Sequence, residues 1–151
     1  MYLTHRSLTV VLSLCTVLAT ACGSTAGTAT SNARAEEPAR VEPIAGTELS
    51  RVILTEEAAH RLDLQTEEAR TEEVEGELHL VISYAALIYD VEGEAWAYTN
   101  PEPLTFVRHS LEIEDIEGDL VVLAEGPPAG TAVVTVGAAE LYGAEFEFQE
   151  G

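Results

Sequence analysis

Carboxylates are the commonest reactive side chains in this sequence, and many stand as near neighbours: Glu56-Glu57, Glu67-Glu68, Glu72-Glu73 and Glu112/Glu114-Asp115. Acid–base catalysis needs two carboxyls held in different environments within a cleft. These lie in acidic runs with no aromatic wall beside them, so they read as a solvated face. Asp115-Ile116-Glu117-Gly118-Asp119 offers the oxygens a calcium ion takes but lacks the ligand spacing of a calcium-binding loop, and reads as a hairpin turn. His60, His79 and His109 are 19 and 30 residues apart, so none pairs at the i,i+2 or i,i+4 spacing of a metal-ligand motif. Met1 is the sole methionine, which leaves no thioether cluster for Cu(I) or Ag(I). Ser83 and Ser110 stand in strand-like stretches without a nearby base, and no Gly-x-Ser-x-Gly, P-loop or dinucleotide glycine cluster occurs. These residues predict no enzyme, no cofactor and no metal site.

The whole chain of 151 residues carries 27 Asp+Glu against 7 Lys+Arg, a formal net charge of −20. Every one of the seven is Arg; the absence of Lys removes Schiff-base chemistry. So acidic a chain is not a direct partner of nucleic acid, because phosphate contact needs a basic face. Charge also opposes adsorption on anionic lipid. At 46% hydrophobic the composition is that of an ordinary globular protein, and the length suits one domain.

Residues 1–21 begin with a short polar stretch bearing Arg6, followed by the apolar run Leu8 to Val17-Leu18. That run is too short for a permanent membrane span, which needs roughly 20 residues, and has the length of a signal-peptide core. Leu18-Ala19-Thr20-Ala21-Cys22-Gly23 resembles the lipobox of bacterial lipoproteins, with Ala19 where a large aliphatic residue is usual. The resemblance implies lipidation of Cys22 after removal of a signal peptide at 1–21, and a lipid anchor on the extracytoplasmic side of the cell membrane. Cys15 is lost with the signal, leaving no internal disulfide. Cleavage also removes Arg6 and no acid, which leaves 27 acids against six Arg, or −21.

Residues 22–50 are small, polar and aperiodic at first and read as a flexible tether. Over 51–77 the pattern predicts a short strand (Val52-Ile53-Leu54), a brief helix capped by Thr55 with Glu56 and Glu57 in its first turn, and an acidic link, Glu67 to Glu77, that reads as a loop or a solvated strand edge. From residue 78 the pattern turns to β. Leu78 to Ile82 and Tyr84 to Tyr89 read as strands; Ala95-Trp96-Ala97-Tyr98-Thr99 alternates at period two; Asn100-Pro101-Glu102-Pro103 reads as a break. Thr105 to Ile113 reads as one alternating strand, Glu117-Gly118-Asp119 as a tight turn, and Leu120 to Leu123 and Thr131 to Val136 as further strands. Glu125 to Gly130 reads as a rigid loop and Gly137 to Tyr142 as a short helical turn. Strands of this length with frequent turns predict a mainly β fold, a small antiparallel barrel over 78–148.

Several of these segments resemble those of a known family, in order. Tyr84-Ala85-Ala86-Leu87-Ile88-Tyr89, Ala95-Trp96-Ala97-Tyr98, Phe106-Val107-Arg108-His109-Ser110-Leu111-Glu112-Ile113, Leu120 to Gly126, and Ala129-Gly130-Thr131-Ala132-Val133-Val134-Thr135-Val136-Gly137-Ala138 resemble successive strands of periplasmic adaptor subunits of efflux pumps, the HlyD-type membrane fusion proteins. The similar region there is the C-terminal, membrane-proximal domain, a permuted SH3-like barrel. Ile53-Leu54-Thr55-Glu56-Glu57-Ala58-Ala59-His60-Arg61-Leu62-Asp63-Leu64-Gln65-Thr66 resembles the opening of many heavy-metal adaptors. The lipoyl-like domain and coiled-coil hairpin of those adaptors have no counterpart between Thr66 and Leu78, so their bridging role does not carry over.

The resemblance implies an adaptor-like accessory protein of a transmembrane efflux or transport system. It would meet a transporter permease or adaptor subunit through protein contact; the residues identify no small-molecule substrate. Trp96, Tyr98, Pro127 and Pro128 are the candidate partner-contact residues. The alternative is a free-standing acidic cell-envelope lipoprotein that binds cations.

Overall fold

The computed structural model describes residues 37–147; the expected signal segment 1–21 and Cys22 lie outside them. Among the described residues no helix is long and apolar enough to cross a membrane.

The first element already departs from the expected tether. Strand β1, Ala39–Pro43, pairs antiparallel with β2, Ser50–Leu54. Its composition is polar because only Ala39 is buried; the strand exists because β2 offers it a partner edge. Helix α1, Glu56–Arg61, starts as the sequence predicts: Thr55 Oγ1 accepts the Ala58 N–H at 3.2 Å. Of the two readings of the acidic link, loop or solvated strand edge, the second is the one observed. It forms β3, Gln65–Glu68, and β4, Arg70–Val74. The two-residue turn Glu75-Gly76, with φ of 53° and 92°, then reverses the chain into β5, Glu77–Ser83. Both β3 and β4 are sheet edges, where one side faces water and like charges are tolerated.

The expected strand from Tyr84 to Tyr89 is mostly a 3-10 turn, Tyr84–Ala86, followed by a two-residue strand β6, Ile88–Tyr89. Strand β7, Ala95–Glu102, runs through Pro101, which lies beyond Thr99 where the pairing register shifts. The stretch read as one strand is two: β8, Thr105–Ser110, and β9, Glu112–Glu117, divided at buried Leu111. Gly118-Asp119 is the expected turn into β10, Leu120–Glu125; β11, Ala132–Val136, and α2, Ala138–Glu147, complete the chain.

The elements form two antiparallel sheets. The first has the order β1-β2-β8-β7-β11-β3, with β6 added to β7; the second has the order β4-β5-β10-β9. The chain changes sheet at Leu111. The mainly β antiparallel class read from the sequence is the class observed. The sheets face each other without closing into a ring, so each keeps two edges. Residues before position 78 are integral to the domain, since β2 pairs with β8 and β3 with β11.

Alternation along β7 and β11 explains the layering. Ala97 and Val133 face a core shared with the second sheet, together with Ile82, Val121 and Leu123. Tyr98 and Val134 point the other way, into a core with Val52, Phe106, Ala138 and Leu141 that α1 and α2 cover. All four of these strand residues are at most a trace exposed, so β7 and β11 are covered on both faces.

Candidate functional site

Two polar assemblies meet at Trp96, and both grow from strand β7. One is buried beneath α2. Ala138, Leu141 and Glu145 are the residues of α2 that face inward, at helical spacing, and Glu145 is 0% exposed. A carboxyl taken out of water is costly unless other groups replace the solvent. Tyr98 Oη donates to Glu145 Oε2 at 2.5 Å, and Arg108 Nε lies 2.9 Å from the same oxygen. The arginine contact is an ion pair and not a hydrogen bond, because neither Arg108 Nε nor Glu145 Oε1 has a hydrogen-bond partner. The Arg108 guanidinium is 4.6 Å from the Trp96 ring centre, 5.0 Å from that of Phe146 and 5.9 Å from that of Tyr142. Three aromatic faces thus surround the cation and offset part of its lost hydration. Burial pushes the Tyr98 phenol well above its ordinary pKa, and the hydrogen bond to Glu145 and that residue's charge push it further; Arg108 pulls the other way. Tyr98 is therefore a fixed donor. Arg108, Glu145 and Tyr98 together hold α2 to the sheet.

The second assembly is the turn between β6 and β7. Asp90 Oδ1 accepts the N–H groups of Glu92 and Glu94, both at 2.9 Å, and Oδ2 accepts Trp96 Nε1 at 2.9 Å. Desolvation alone would raise the Asp90 carboxyl, but hydrogen bonds from Glu94, Trp96, Glu92 and Gly93 outweigh it and hold the group below its ordinary value. Asp90, Glu92 and Glu94 place one carboxylate oxygen each within 4.8 Å of one another. Trp96 joins the assemblies, with its indole N–H on Asp90 and its ring against Arg108.

The four expected contact residues do not share one surface. Tyr98 and Pro127 are buried and so are removed from contact with a partner. Trp96 is half-buried between Asp90 and Arg108, and only Pro128 is exposed. The reason is the layering: an aromatic on a strand covered on both faces is core. His60 lies on α1, His79 on β5 and His109 on β8. His79 Nδ1 stands 3.3 Å from Glu114 Oε2. Asp115 lies on β9, where its Oδ1 accepts the Ile116 N–H at 2.8 Å.

Sequence reading places Asp90 in a turn and Arg108 in a strand, and gives no functional role to either or to Glu145. A signal existed for Glu145, the third member of the stripe Ala138, Leu141 and Glu145. For Asp90 the signal was an Asp opening a turn with Gly93. No protein family, curated protein or solved structure matches the chain.

Proposed function

We propose that this chain is an exported, lipid-anchored accessory protein of a transmembrane efflux or transport system, and that it acts by protein contact. The observation that carries the reading is the strand series. Four of the five adaptor-like segments, those beginning at Ala95, Phe106, Leu120 and Ala129, fall on strands: β7, β8 with β9, β10 and β11. The lipobox-like Leu18-Ala19-Thr20-Ala21-Cys22 supports the anchor, and an acidic surface suits a partner with a basic patch.

Cross-linking of the full chain in the membranes of its own cell tests the contact: a transporter permease or adaptor subunit should be enriched. Membranes that yield adducts but never a transport subunit refute it. Cys22→Ser should release the protein from the membrane fraction; unchanged retention refutes the anchor.

The clustering of Asp90, Glu92 and Glu94 favours a second reading, an acidic cell-envelope lipoprotein that binds cations. Calorimetry with Ca²⁺ and Mg²⁺ separates the two. Saturable heat at sub-millimolar ion supports cation binding, and a flat titration removes it.

A further inference from the structure

The turn between β6 and β7 displays apolar surface where a soluble domain would ordinarily hide it. Val91 is 94% exposed, the highest value among the exposed large hydrophobic side chains of the described residues, and Tyr89 beside it is 54% exposed. A single exposed apolar side chain is unremarkable on a mobile loop. This one is held in place. Asp90 N donates to Glu94 O, and Gly93 N to Asp90 O, each at 3.1 Å. The Asp90 carboxylate ties down Glu92, Glu94 and the Trp96 indole, and Gly93 supplies the φ of +84° that closes the turn. Trp96 is in turn stacked on the buried Arg108.

We infer that the Tyr89–Glu94 turn is a preorganised docking tip that inserts Val91 and Tyr89 into an apolar socket on a partner protein whose rim carries Lys or Arg. This deepens, and rests on, the protein-contact reading above. The basic rim follows from charge complementarity, since Asp90, Glu92 and Glu94 flank the apolar residues on a chain of net charge −20. A tip already locked in one conformation loses little entropy on binding. A cation suits these groups less well, because hydrogen bonds already occupy three of the roughly four acceptor sites of the Asp90 carboxylate.

The test uses the mature chain and a synthetic peptide of alternating Lys and Leu as the probe. Readouts are backbone amide shifts and the fluorescence of Trp96, the only tryptophan. Saturable shifts concentrated on residues 89–94, with a matching change in Trp96 emission, are expected. Val91→Ser should weaken binding about tenfold through lost apolar burial. Glu92→Gln with Glu94→Gln should weaken it about three- to tenfold, with less effect at high salt. Val91 is too exposed for its replacement to disturb the core.

The inference is overturned by shifts spread evenly over the acidic edges β3, β4 and β9, or by binding indifferent to Val91→Ser. A sub-millimolar Ca²⁺ response of the turn with no peptide response overturns it too. A transport subunit captured in membranes by an exposed site elsewhere, such as Pro128, while 89–94 stays silent, overturns the tip alone. Peptide binding at the tip with no transport subunit in any adduct overturns the transport reading and spares the tip.

Discussion

Replacing Arg108 by Met should be the most destabilising single change that the buried network allows. Glu145 is 0% exposed, and its Oε2 is shared by Tyr98 Oη at 2.5 Å and Arg108 Nε at 2.9 Å. Arg108→Met leaves a buried carboxyl with one neutral donor and no cation, while its other oxygen is already unpartnered. Breaking a buried pair from one side costs about 3–5 kcal/mol, a large part of the roughly 5–15 kcal/mol that stabilises a domain. For a domain of about 110 residues that is a fall in Tm of roughly 12–20 °C. Removing every member together has a different outcome. In Tyr98→Phe/Arg108→Met/Glu145→Met no polar atom is orphaned, and apolar side chains fill the space between Trp96, Tyr142 and Phe146. The triple variant should return to within about 2 kcal/mol of the parent, since buried ion pairs are often replaceable by hydrophobes of similar volume. Urea unfolding followed by far-ultraviolet circular dichroism measures all the variants without relying on Trp96, whose emission Arg108 perturbs directly. A cost below about 1 kcal/mol for Arg108→Met, or a triple variant no better than the single one, would refute the account of α2 as held by mutual satisfaction of these groups.

Three further outcomes follow from the same geometry. The Tyr98 pKa is raised in the folded state, so its contribution is fully present below the unfolded value near 10 and is lost as pH rises above it; urea midpoints should fall in that range for the parent and fall less for Tyr98→Phe. Asp90 is shifted the other way, so its contribution is present above the ordinary carboxyl range and lost as pH falls through its lowered value; Asp90→Asn should flatten the acid limb of the Tm–pH curve and shift Trp96 emission. Gly137 sits between β11 and α2 at φ +89°, and a Cβ there would collide with the Leu64 side chain. Gly137→Ala should cost about 1–3 kcal/mol by thermal unfolding, whereas Ala at Gly143, where the space is open, should be tolerated.

Locally encoded features were legible from the residues alone. Thr55 caps α1 because a hydroxyl there reaches the Ala58 N–H whatever the rest of the chain does. The Gly118 turn is a matter of backbone conformations that Gly adopts at little cost. The mainly β class follows from period-two patterning in segments too short for helices. The division at Leu111 was not legible, because β8 and β9 both alternate and the apolar pattern runs across the point where the chain changes sheet. Nor was β1, whose polar residues form a strand only because β2 lies beside them.

The sequence by itself determined the acidity, the turns, the cap and the strand-rich character, since each depends on neighbours in the chain. Only the tertiary structure decided that the sheets stay open, that the acidic link supplies two edge strands, and that Tyr98 belongs to the core and not to a contact surface. It alone also decided that Glu145 is buried. The physical reason is common to all four. Burial and pairing depend on residues far apart in the chain, as with Tyr98 and Glu145, 47 positions apart, and a carboxyl's place inside becomes tenable only when its distant partners arrive with it.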